Sequence, residues 1–111
     1  VSVGVDPSDT DFANIGKDAF AECSNLAYLT FEEGSQIQFI YDGAFAYTNL
    51  TSITIPNTLR SFGNYVFEGC PLISLTFEGT KAKWDWAIRY SSYWNNMSVS
   101  YVQCSDGNVY T

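Results

Sequence analysis

The sequence contains no histidine, and only five of its 111 residues are basic. The missing histidine removes the commonest general base, the Ser-His-Asp arrangement of hydrolases and a frequent zinc ligand. The three cysteines show no C-x-x-C spacing, and there is no glycine-rich phosphate loop. We therefore predict no enzymatic activity, no cofactor and no metal. An enzyme that uses carboxylates ranks third among the alternatives, because no two acids fall at matching positions of a rigid element.

Long apolar runs are also missing. No stretch approaches the ~18 to 20 consecutive apolar residues of a membrane helix, and no basic or apolar export segment begins the chain. We expect no membrane insertion in this segment. The start at Val1 favours a processed protein or a fragment of a longer one, preceded by an unknown number of repeats.

Positive charge is scarce, and the net charge is −7. Residues 1–42 hold eight acids and one lysine, whereas the remainder balances four acids with four basic residues. Phosphate backbones would be repelled on average, so we predict no nucleic-acid partner. The acidic segment DPSDTD at 6–11 leaves two interpretations open, a calcium site or a solvated turn; it lacks the glycine and closing glutamate of a known calcium loop.

Aromatic residues are abundant, at 17%, and they recur in a pattern. Three similar segments, IGKDAFAEC, IYDGAFAYT and FGNYVFEGC, begin at residues 15, 40 and 62. Aligning them gives four columns, Ile15/Ile40/Phe62, Ala19/Ala44/Val66, Phe20/Phe45/Phe67 and Cys23/Thr48/Cys70, and each segment is followed by a leucine, Leu26, Leu50 or Leu72. The phenylalanines are predicted to stack from repeat to repeat, with the small residues beside them making room for the rings.

Short strands follow each segment. They carry alternating apolar pairs, Leu29/Phe31, Ile53/Ile55 and Leu75/Phe77, with Val3 and Val5 as an earlier pair. The spacing between strands is 26, 24 and then 22 residues. A period of this length predicts a solenoid, since one unit cannot bury its apolar edge without stacked neighbours.

The segment LTSITIPNTLRSFGNYVFEGCPLISLTF at 50–77 resembles the BspA-like leucine-rich repeat, with departures at Tyr41 and Thr48 and one extra residue after Cys23. The segments FEGTKAKWDWAI and VQCSDGNVY are similar to the C-terminal cap of such arrays. The resemblance implies a right-handed superhelix with a parallel β-sheet on one face and short helical or irregular turns opposite, closed by a C-terminal helix and hairpin. It divides the chain into repeats at 1–79, about three to four coils, and a cap at 80–111.

The cap has its own local signals. Thr80 is a predicted N-cap, and Trp84, Ala87 and Ile88 would share the buried face of a short helix. The alternation of Met97, Val99 and Tyr101 predicts a strand, and SDGN at 105–108 predicts a tight turn.

The cysteines are predicted to be unpaired. Cys23 and Cys70 share a column two repeats apart, so their Cα atoms would lie ~10 Å apart, beyond the ~7 Å limit for a disulfide. Both are predicted to be small buried residues, with Thr48 between them hydrogen-bonded to a carbonyl. Cys104 could approach Cys70, but nothing in the sequence requires it.

Candidate binding residues point away from the core between the apolar pairs. They form two predicted columns on the open sheet face, Tyr28/Ser52/Ser74 and Thr30/Thr54/Thr76, and a second candidate cluster is Trp86, Tyr90 and Tyr93. Ser and Thr also suit a solvated strand without any ligand, and the aromatic residues suit cap packing.

The leading hypothesis is a non-catalytic binding module of a secreted or cell-surface protein. Its partner would be a protein or glycoprotein of a host matrix or another microbial surface, because the resembled family is used for adhesion and protein contact. The alternative is a structural spacer that presents another domain and binds nothing.

Overall fold

The structure is a computed structural model that describes residues 2–3, 13–31 and 34–111. Its elements in chain order are β1 (Ser2–Val3), β2 (Ala13–Ile15), β3 (Thr30–Phe31), β4 (Ile37–Ile40), β5 (Ser52–Ile55), β6 (Ser61–Phe62), β7 (Ser74–Phe77), α1 (Lys81–Ala87), β8 (Tyr101–Cys104) and β9 (Gly107–Tyr110). The predicted strand residue Val5 and the acidic segment 6–11 lie outside the described residues.

The largest sheet has the strand order β5-β7-β8-β9. Strands β5 and β7 are parallel, with Ile53 opposite Leu75 and Ile55 opposite Phe77. All four side chains are buried, because alternate residues of a strand point to the same face of the sheet. The predicted apolar columns are confirmed for these two repeats.

A separate parallel pair joins β1 to β3, with Val3 opposite Phe31. The repeat alignment places Val3 opposite Leu29, so the observed register differs from it by two residues. A shift of two keeps the alternation of the strand, because the period of a strand is two residues.

A second parallel sheet, β2-β4-β6, lies where the resemblance implied short helical or irregular turns. Ile15 is opposite Ile40, and Ile40 is opposite Phe62. Within residues 13–31 and 34–79 the structure contains no helix. The segments between the strands are hydrogen-bonded turns instead.

These turns are joined to one another through alternate N–H groups. Phe20 N donates to Ala44 O at 2.8 Å, and Phe45 N donates to Val66 O at 3.0 Å. The intervening N–H groups bond within their own turn, as Ala44 N does to Tyr41 O at 3.2 Å. Both sets of donors are used, so the backbone is satisfied without a helix.

The core follows the predicted aromatic ladder. The rings of Phe20 and Phe45 stack at 5.4 Å between centroids and 8° between planes, and those of Phe45 and Phe67 at 5.7 Å and 9°. Ala44 and Val66 beside them are buried. The aromatic stack predicted from the repeat is therefore confirmed.

Thr80 is the N-cap of α1, as predicted, and its Oγ1 accepts a hydrogen bond from Lys83 N at 3.1 Å. Trp84 and Ala87 of α1 are buried, as predicted. Trp84 packs against Phe62 and Phe77, with ring centroids 5.1 and 5.3 Å away. The helix thus covers the aromatic core at the end of the repeats.

The last two strands form the predicted hairpin around residues 105–106. The strand expected from Met97 onward begins only at Tyr101. Before it, Ser98 Oγ donates to Leu72 O and, at 3.3 Å, to Cys70 O. This side chain binds the carbonyls of the last repeat in place of a ladder of backbone hydrogen bonds.

All three cysteines are free. Cys70 and Thr48 are buried, but Cys23 is exposed, so the prediction that Cys23 is buried is wrong. The extra residue that follows it closes another turn, in which Leu26 N donates to Cys23 O at 2.9 Å. Thr48 Oγ1 lies 3.2 Å from Cys70 Sγ, and this thiol contacts the carbonyl of Phe45 at 3.0 Å. Among the described residues, the partners of Thr48 Oγ1 are this thiol and Leu50 N, which donates to it at 3.5 Å, and no carbonyl is among them.

We expect the three thiols to react with iodoacetamide in the order of their exposure. Cys23 should react first. Cys104 is half-buried, and burial together with Asp106 and Asp85 raises the pKa of its thiol, so less of the nucleophilic thiolate is present. Cys70 should react only in denaturant. Peptide mass spectrometry after brief labelling measures this order, and equal labelling of Cys70 and Cys23 in the native protein would contradict it.

Two glycines at equivalent repeat positions offer a matched test of the stacking. A Cβ at Gly63 would lie 2.6 Å from Asp42 N and 2.8 Å from the carbonyl carbon of Tyr41, whereas a Cβ at Gly16 meets nothing within 4 Å. Gly63→Ala should lower the free energy of unfolding by about 1–3 kcal/mol, because backbone must move. Gly16→Ala should change it by less than about 1 kcal/mol. Urea unfolding compares the two, and equal losses would refute this account.

Candidate functional site

The open face of the largest sheet carries four of the predicted residues in register. Ser52 is opposite Ser74, and Thr54 is opposite Thr76. Ser52 and Thr54 are exposed, while Ser74 and Thr76 are half-buried. The sequence placed these hydroxyls correctly because their spacing follows the repeat.

The C-terminal hairpin extends both columns. Gln103 is opposite Thr76 and accepts a hydrogen bond from its Oγ1 at 3.3 Å, and Asn108 follows on β9. Two residues earlier on β8, Tyr101 is opposite Tyr110. Sequence reasoning missed all four residues, although the alternation of exposed and buried residues along β8 is the signal that could have located them.

Tyr28 and Thr30 lie on the neighbouring repeat. In the part of the chain that the structure describes, β3 and β5 are not paired as neighbours in a sheet. Tyr28 is 78% exposed, and Thr30 is exposed as well. These two candidates therefore border the hydroxyl columns, and Thr30 belongs to the separate β1-β3 sheet.

A groove of about 890 Å³ lies over this face, and we call it the sheet groove. Its floor contains Thr30, Ser52, Thr54, Ser74 and Thr76. Its rim is formed by residues 34–36, residues 56–58 and Glu78. Five of the six predicted face residues thus line one concave surface, and Tyr28 lies outside it.

Ser35 on the rim of the sheet groove is a buried polar residue. Only 6% of its surface is exposed, and its Oγ has no hydrogen-bond partner among the described residues. A buried hydroxyl without a partner costs about 1–3 kcal/mol.

The second candidate cluster separates into two groups. Trp86 and Tyr90 are exposed, and the Cζ of Arg89 lies 3.9 Å from the ring centroid of Trp86 and 4.7 Å from that of Tyr90. Tyr93 instead stacks on Tyr65 at 4.9 Å and 13°. The three residues therefore do not form one aromatic surface.

A further concave surface of about 630 Å³ lies along the turns, and we call it the turn surface. Its residues are mostly acidic or aromatic, Asp18, Glu22, Asp42, Glu68, Tyr47 and Tyr65, with Lys17 at the edge. The carboxylate of Glu68, together with burial, raises the pKa of Tyr47. Burial raises the pKa of Tyr65 as well, with smaller contributions from Tyr93 and Glu68.

No group of three or more cysteine, aspartate and glutamate side chains that could hold a metal ion occurs within the described ranges. The calcium hypothesis concerned residues 6–11, which the structure does not describe. No helix in the described part of the chain is long and apolar enough to cross a membrane.

Parallel strands at a period of 22–25 residues and a buried aromatic ladder define a stacked repeat protein. The chain matches the profile of the BspA-type leucine-rich repeat region in six copies over residues 7–105, and it belongs to this family. Comparison with curated proteins and with solved structures found no match. Repeats of this family serve in protein interaction. The matched range runs past residue 79, and the division between repeats and cap there stays a prediction.

The turn surface yields a test of its electrostatics. Glu68→Gln removes the negative charge that opposes ionisation, so the pKa of Tyr47 and, to a smaller extent, of Tyr65 should fall towards 10.0. Tyrosinate absorbance during an alkaline titration of the folded protein measures this change. Glu78→Gln is the matched control, because it removes the same charge outside this surface. A curve for Glu68→Gln identical to that of the control would contradict the assignment.

Proposed function

We propose that this chain is a non-catalytic protein-binding module and that its partner binds in the sheet groove. The observation that carries the proposal is the set of paired hydroxyls, Ser52 with Ser74 and Thr54 with Thr76, on the floor of a groove of about 890 Å³. We propose further that the chain is part of a secreted or cell-surface protein that adheres to a host matrix or another microbial surface. Membership of the BspA-type family supports this location.

The composition of the face suits a protein partner. Small hydroxyl groups occupy the floor. Exposed tyrosines lie on neighbouring segments, with Tyr28 two residues before Thr30, Tyr101 on β8 and Tyr110 on β9. Tyrosine supplies contact area at a low entropic cost, and serine and threonine supply adaptable hydrogen bonds, which is the combination that antibody binding loops use. The floor carries no charge, as in the centre of many protein interfaces.

The proposal includes a right-handed superhelix for the repeats. Parallel strands β5 and β7 belong to one sheet and are joined by a crossover that contains β6. Crossovers of this kind are right-handed in about 98% of known cases.

The test is binding to an immobilised panel of matrix proteins, mucins and glycans. The double variant Thr54→Arg/Thr76→Arg places two long cations on the floor of the sheet groove. It should weaken binding to the partner found by about tenfold or more, since it combines steric exclusion with two buried charges. Thermal unfolding of the variant should remain cooperative, because both positions face away from the core.

The matched control is Ala82→Arg/Ser92→Arg, which adds the same charge at exposed positions outside the groove. It should bind as the unmodified protein does. Equal weakening by both variants would mean that net charge, and not the groove, determines binding. If the unmodified protein binds no member of the panel, the result favours the structural spacer over the adhesion module.

A further inference from the structure

The cap presents an arginine that is already fixed in position. Arg89 lies just beyond the end of α1, and its Nη1 donates to Trp86 O at 2.6 Å and to Arg60 O at 3.0 Å. Its guanidinium also lies over the rings of Trp86 and Tyr90. These contacts hold a long side chain whose ordering would otherwise oppose binding.

The fixed guanidinium retains unused donors. The two carbonyls occupy both hydrogens of Nη1, which leaves Nε–H and the Nη2 hydrogens on the opposite edge of the plane. In the part of the chain that the structure describes, its partners are two carbonyls and two rings, and none is a carboxylate. The free edge has the geometry that binds a carboxylate through two parallel hydrogen bonds.

A second cation lies beside it. The Cζ of Arg60 is 5.7 Å from the centroid of the Trp86 ring, so both arginines of the chain flank one indole. Both side chains are exposed. In a chain of net charge −7, this pair forms a local cationic surface that would attract an anionic group.

We propose that Arg89, with Arg60 beside it, forms an anion-binding site for an aspartate or glutamate side chain in an acidic segment of a partner protein. A protein segment is favoured over an acidic sugar because Arg89 covers a face of the Trp86 ring at 3.9 Å. That face is therefore closed to the stacking by which sugars bind aromatic side chains. The site is separate from the sheet groove and does not depend on the groove's function.

The experiment titrates the full chain with a blocked tetraglutamate peptide and follows the arginine Nε–H signals by nuclear magnetic resonance. The chain has two arginines, so Arg89→Gln assigns both signals. We expect the Arg89 Nε–H signal to shift in the unmodified protein and higher salt to weaken binding. Arg89→Gln should weaken peptide binding by about tenfold. The affinity of Arg89→Lys should lie between those of the unmodified protein and Arg89→Gln, since lysine keeps the charge but cannot form two parallel hydrogen bonds.

Lys83→Gln is the matched control, because it removes one exposed positive charge from α1 and should leave peptide binding unchanged. An unshifted Arg89 signal, or equal weakening by Lys83→Gln and Arg89→Gln, would overturn the proposal. A tetragalacturonate that binds as tightly as the peptide would overturn the assignment to a protein segment. If Arg89→Gln does not fold, Arg60→Gln assigns the signals, and the titration of the unmodified protein decides alone.

Discussion

The hydrogen bonds between successive turns are the constraint on which the rest of the structure depends. At two positions in each turn the backbone is left-handed, with φ between 55° and 72° at Asp18, Gly43 and Tyr65 and at Glu22, Tyr47 and Gly69. Only two of these six residues are glycine, so the other four adopt a conformation that is unfavourable for them by about 1–2 kcal/mol each. The stacked turns maintain it because alternate N–H groups of one turn bond to carbonyls of the next. The same repetition places the phenylalanines above one another.

Features that follow the repeat could be predicted from the sequence. The stacked rings of Phe20, Phe45 and Phe67 and the register of β5 with β7 belong to columns that recur at nearly constant spacing. The second parallel sheet was not predicted, although Ile15, Ile40 and Phe62 already formed a column. Strands β2 and β6 contain three and two residues, which is too short for alternation to distinguish a strand from a turn.

Features that break the repeat could not be predicted in the same way. Cys23 is exposed although it aligns with buried residues, and the turn after it contains an inserted residue and a different hydrogen bond. The extension of the hydroxyl columns by Gln103 depends on a parallel pairing with Thr76, a contact between two residues that share no column of the sequence pattern. Strands β3 and β5 are not paired within the described residues, although the sequence pattern places both in one set of columns.

The division of polar groups between the surfaces supports two different kinds of contact. On the turn side, backbone groups bond to neighbouring turns, and the side chains that remain at the surface are mainly carboxylates and tyrosines. On the sheet side, uncharged hydroxyls lie in a groove and would bind a partner through hydrogen bonds that depend on shape. At the cap, Arg89 presents a fixed cation whose attraction acts over a longer range. Long-range charge mainly raises the rate of association, while close contacts determine how long a complex lasts. A partner that carries an acidic segment beside a polar surface would therefore be attracted by the cap and bound specifically by the groove.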